Sequence, residues 1–219
     1  MDENVRAALA RWPNVPDVYG WLSLSERGQW RLHPLGDALS IDNMPPGEAI
    51  ANTQILQFMN RNYARDDQGQ WFFQNGPQRV FVRLDGAPYI LRTAGSPPTL
   101  TTHNNLSVHH IEAWFLDDTG KLYAQTEYGP GLVDGRDLTP IAESLYTDSN
   151  ESLMTLLERV PAPAQTNLKL ISDKTQCPLS DDKASTAPLT CCPADRIADL
   201  MGFVRSPSPN FVTLEGSVK

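Results

Sequence analysis

His109, His110 and Glu112 form the densest group of ionisable side chains in the sequence. On a strand, His110 and Glu112 would share one face and His109 would point to the other. With His103, seven residues before His110, they are residue types that hold zinc or iron and activate water for hydrolysis. The spacing is not that of a helical metal motif, and no fourth ligand stands close by. Ordinary polar residues beside a turn have the same composition, and that reading is preferred over a metal-dependent hydrolase. Cys177, Cys191 and Cys192 lack the paired CxxC spacing of a structural zinc knuckle, and adjacent cysteines point apart on an extended chain. No GxSxG elbow, GxxxxGK[ST] loop or GxGxxG fingerprint occurs, so neither a catalytic residue nor a cofactor is expected.

A second group speaks of binding. Gln74-Asn75-Gly76-Pro77-Gln78-Arg79 packs amides and a guanidinium into a tight connection between two apolar runs. Such a turn presents planar donors and acceptors beside aromatic rings, which suits gripping a peptide or carboxylate. Trp71, Asn75, Gln78 and Arg79 are the expected binding residues. The competing reading is local: Asn75 and Gln78 satisfy the turn's own backbone while Arg79 covers Trp71.

These residues must be positioned by strands. A pattern of apolar approach, polar residues, Gly and a further apolar residue occurs three times, around Gly28, Gly69 and Gly120. Glycine supplies the positive φ that closes a short hairpin, and flanking rings pack across the strand pair. Gln70 to Gln74, Arg79 to Leu84 and Ala87 to Thr93 read as a three-stranded meander. Gly129-Pro130-Gly131 reads as a break, with Leu132-Val133 at most a short strand. Helices are expected over Asp2–Arg11, from Pro46 to about Asn62, after Asp137, over Asn150–Arg159 and over Pro193–Val204. Pro161–Pro193 reads as an irregular tether. The sum is an α+β protein with an antiparallel sheet of hairpins and a meander and a few packed helices. Its expected parts are 1–95, 96–160 and a tether with a terminal helix over 161–219.

The runs Gly69–Val82 and Gly129–Leu138, with the Trp12–Leu22 approach, resemble a family of uncharacterised proteobacterial proteins known only as a domain of unknown function. The resemblance implies a bacterial, cytoplasmic setting and brings no activity or site residues.

Composition bounds the partners. Among 219 residues, 18 bases face 26 acids, a net charge of −8, which disfavours nucleic acid held by bulk positive charge. Every base before Lys121 is an arginine, the cation suited to fixed planar hydrogen bonding. Eighteen prolines exclude a helical bundle. Acids at the start, no long apolar run and an odd number of cysteines predict a reduced cytoplasmic protein without membrane contact. The expected function is a binding or regulatory module whose aromatic and arginine-bearing sheet holds a protein or small ligand.

Overall fold

The computed structural model describes residues 1–40, 45–94, 99–147, 151–158, 167–172 and 186–209. In chain order the elements are α1 (Glu3–Arg11), β1 (Val18–Leu24), β2 (Trp30–Leu32), β3 (Glu48–Ala49), α2 (Thr53–Arg61), β4 (Tyr63–Arg65), β5 (Trp71–Asn75), β6 (Gln78–Leu84), β7 (Tyr89–Ala94) and β8 (Thr99–Thr102). Then follow β9 (Ile111–Asp117), β10 (Leu122–Thr126), β11 (Gly129–Val133), α3 (Leu138–Glu143), β12 (Leu145–Thr147), α4 (Leu153–Glu158), β13 (Asn167–Ser172), β14 (Thr186–Cys192) and, after a 3-10 turn, α5 (Ile197–Met201). They make two sheets, ordered β3-β2-β1-β6-β5-β4 and β12-β13-β14-β9-β10-β11-β7-β8. Pairing is antiparallel except for β1 with β6, β7 with β11 and β9 with β14. The architecture is α+β, as expected.

The three hairpins exist and share one turn. In each, the residue before the turn accepts the amide of the glycine three places on: Gly28 to Ser25, Gly69 to Asp66, Gly120 to Asp117. All three glycines have positive φ, at 68°, 77° and 83°. Each turn is fastened by the side chain of its first residue. Ser25 Oγ accepts from the amides of Arg27 and Gln29, Asp66 Oδ1 from Gln68 and Gln70, and Asp117 Oδ1 from Thr119 and Lys121. This is the local side-chain-to-backbone bonding that favours Ser and Asp at turns.

Other expectations change. The meander is β4-β5-β6, because Tyr89–Ala94 joins the second sheet between β11 and β8. The chain therefore passes from the first sheet to the second at 85–88. The helix expected from Pro46 begins at Thr53, where the Asn52 side chain accepts from the amides of Gln54 and Ile55. Residues 46 and 47 are irregular and only 48–49 are extended instead. Gly47 has φ 67° and lies against the His33 ring, and Glu48–Ala49 pair with β2. Gly129-Pro130-Gly131 is no break but part of β11, where a β-carbon on Gly131 would meet Leu91 at 2.7 Å. Within the stretch expected to be irregular, β13 and β14 extend the second sheet through β9. The helix near the end is the short α5, closed by Gly202 at φ 69°.

The sheets meet through rings. Trp30, Tyr63 and Trp71 from the first sheet pack edge-on against Tyr89 and His103 of the second, at centroid separations of 5.2–6.1 Å. Burial of each large apolar ring contributes about 1.5–3 kcal/mol, and edge-to-face geometry adds to that. The chain beyond α5 returns to lace the first sheet. The Val204 amide donates to the Gly69 carbonyl, the Leu84 amide to Arg205, and the Ser208 amide to Gln70 Oε1.

Candidate ligand-binding groove

Alternation along β5 and β6 sends Trp71, Phe73, Val80 and Val82 to one face of the first sheet and Phe72, Phe81 and Arg83 to the other. Strand β1 is irregular once. Its register with β6 shifts between Val18 and Leu22, where Gly20 has φ 82°. Such a bulge re-aims a side chain. Beside it Trp21, with 44% of its surface exposed, and Leu22 both line an open space. Trp21, Leu32, Met59 of α2, Phe73 and Val80 then line an open groove of about 400 Å³. Helix α2 is fixed beside it by the Asn52 cap and by the Phe58 ring set edge-on to Phe73 at 5.6 Å.

Two of the four expected binding residues reach this groove. Asn75 and Gln78 line its rim and close the β5–β6 hairpin, which turns at Gly76 with φ 58°. Gln78 Nε2 donates to the Pro16 carbonyl at 3.1 Å, while Gln74 Nε2, rather than Asn75, satisfies the turn by donating to the Gly76 carbonyl. Trp71 is 3% exposed and seated between Tyr63 and Tyr89. Arg79 lies on the opposite face, with its guanidinium 4.9 Å above the Phe72 ring. The four read as one group in the sequence because β5 is apolar at every position from Trp71 to Phe73, which hides the alternation. Trp21 carries no such mark in the sequence beyond Gly20 inside an otherwise regular strand.

The histidines do not converge. His103 is half-buried, with its ring in the aromatic cluster, its Nδ1 accepting from the Ile90 amide at 3.3 Å and its shielded Nε2 without a hydrogen-bond partner. Burial first, and the Arg92 charge second, push its pKa down to about 3. His109 and His110 are exposed, and it is their backbone amides that bind the Glu127 carboxylate, at 2.7 and 3.3 Å. Glu112 is exposed as well. Among the described residues no three His, Cys, Asp or Glu side chains gather as a metal would require. Cys177 lies outside the described residues. Cys191 and Cys192 are free thiols whose pKa burial pushes up.

One buried set has a suggestive order. Ser23 Oγ lies 2.9 Å from His33 Nε2, and His33 Nδ1 lies 3.7 Å from Asp37. The order is that of a nucleophile, base and orienting acid, yet 3.7 Å is too long for the orienting hydrogen bond. Ser23 and His33 are fully shielded from solvent, Ser23 inside a central strand and His33 beneath Gly47. No substrate carbonyl reaches such a hydroxyl, so the trio is structural.

Two packed mixed sheets, with an apolar groove lined by α2 and the first sheet, define an α+β protein. The chain belongs to the family described as Protein of unknown function (DUF2946), whose model matches residues 1–208. No curated protein matches it. It is similar to two solved structures. One is a DUF1285 family protein from Silicibacter pomeroyi, 16% identical, with 68% of this chain and 87% of that one covered at a TM-score of 0.44. The other is a DUF1285 family protein from Shewanella baltica, 14% identical, with coverages of 54% and 87% and a TM-score of 0.37. Among the described residues no helix is long and apolar enough to cross a membrane.

Proposed function

We propose that this chain is a binding module that holds a small apolar ligand in the groove beside α2, with Asn75 and Gln78 giving polar contacts at its rim. The observation that supports this reading is Trp21: next to the irregularity at Gly20, a large and partly exposed aromatic residue lines an apolar cleft. An exposed apolar cleft rimmed by a few polar groups is the usual form of a ligand site, and about 400 Å³ lies within the range of such sites. Trp71 and Arg79 serve the scaffold in this reading. The groove's size favours a small molecule over a protein partner.

Titration with the apolar fluorophore N-phenyl-1-naphthylamine tests it. The native chain should enhance the dye's emission with saturation, while Trp21→Ala and Leu32→Asp, both at exposed positions, should each weaken binding about tenfold. Arg79→Ala should bind as the native chain does. Equal affinity in Trp21→Ala, Leu32→Asp and the native chain would rule the groove out.

A further inference from the structure

A second cavity, of about 250 Å³, lies where the β1–β2 turn meets the end of β11, away from the groove. Arg27, Lys121 and Arg136 line it, with Glu26 and Asp134 as its acids and Leu138 among its apolar walls. Both acids are already committed. Asp134 Oδ1 accepts from the Arg136 amide and Nε, and its Oδ2 accepts from Arg136 Nη2 at 2.7 Å and Arg92 Nε at 3.2 Å. Glu26 Oε1 accepts from Lys121 Nζ at 2.5 Å. Asp137, at the start of α3, accepts from the Thr93 hydroxyl. Arg92 also donates to the Arg27 carbonyl, which ties the turn to the cavity floor.

Four cations therefore stand against three acids, and the Arg27 guanidinium has no acidic partner among the described residues. A surplus of positive charge is out of keeping with a chain of net charge −8, and an unpaired arginine at a cavity mouth is a ready partner for carboxylate or phosphate. Leu132, Val133 and Leu138 give the same cavity an apolar side.

We infer that this cavity is a site for a small organic anion: a phosphate or carboxylate group on a compact apolar body, the acid group facing Arg27 and Arg136 and the body resting on the leucines. This site is independent of the groove. Calorimetric titration with phenyl phosphate, benzoate and inorganic phosphate tests it, and whichever organic probe binds more tightly identifies the acid group. At least one organic probe should bind with Kd below about 1 mM, more tightly than inorganic phosphate, and more weakly as salt is raised. Arg27→Ala should weaken that binding about tenfold with unchanged thermal stability, since its side chain holds no hydrogen-bond or ionic partner among the described residues. Trp21→Ala should leave it unchanged. Failure of both organic probes to bind in this range, equal binding by Arg27→Ala, or inorganic phosphate binding as tightly as phenyl phosphate would each overturn the inference.

Discussion

A β-carbon on Gly20 would stand 2.3 Å from the carbonyl oxygen of Gly36. Strand β1 and the loop after β2 thus touch backbone to backbone, and the Gly20 carbonyl accepts the Ala38 amide there. The bulge that exposes Trp21 is held by this contact. Gly20→Ala meets both a left-handed φ and a backbone clash, so a loss of about 2–4 kcal/mol is expected. Urea denaturation measures it, and a shift in tryptophan emission should accompany it. An unchanged midpoint would show that the contact is not close.

The three hairpin turns should rank by burial of their fastening residue. Asp117 is 4% exposed, and besides two backbone amides it accepts from the Thr119 hydroxyl and from Tyr123. Asp117→Ala should cost about 2–4 kcal/mol, Asp66→Ala about 1–2 and Ser25→Ala about 0.5–1. Denaturation midpoints of the three variants give the order. A Ser25 loss as large as that at Asp117 would contradict it.

His103 predicts a pH dependence. Its pKa is held down to about 3, whereas the unfolded chain takes up its proton near 6.5. The unfolded state therefore binds more protons below about 6.5, and stability falls there as pH falls, by about 1.4 kcal/mol per unit from this residue. His103→Phe keeps a ring but strands the Ile90 amide, costing about 1–3 kcal/mol at neutral pH. The gap between native and variant should narrow by about 2 kcal/mol between pH 6.5 and 5. A constant gap would mean that the imidazole is not shielded.

Asp134 acts in the opposite sense. Hydrogen bonds and charge from Arg136, with Arg92 adding to them, hold its pKa at about 2. Its contribution is present at neutral pH and is lost as pH falls from about 4 towards 2. Because both arginines are partly in water, about 1–2 kcal/mol is expected after screening. Asp134→Asn should lose this amount at pH 7 and show a flatter acid limb. Equal acid limbs would assign the effect elsewhere.

What was readable in the sequence was local. Gly28, Gly69 and Gly120 stand at a fixed offset from Ser or Asp, and that offset alone specifies the turn. The parallel pairs β1–β6 and β9–β14 join residues about 60 and 75 positions apart, and no short-range pattern encodes such partners. Pro46-Gly47-Glu48 resembles a helix start, but packing of Gly47 on the His33 ring decides otherwise. The site was half legible for a related reason. Polar rim residues announce themselves at a turn, as Asn75 and Gln78 do. Whether Trp71 or Trp21 faces outward depends on a bulge and on a second sheet packed against the first.

Placing β14 beside β9, and residues 204–208 against Gln70 and Leu84, has a consequence for biosynthesis. Both sheets receive late-made pieces of the polypeptide. While the ribosome still covers Cys192, one long side of β9 stands unzipped and the β4–β5 hairpin lacks its clasp. Assembly is thus deferred until residues 186–208 have been made, and a chain stalled before Thr186 would present a sticky strand edge to chaperones and neighbouring nascent chains.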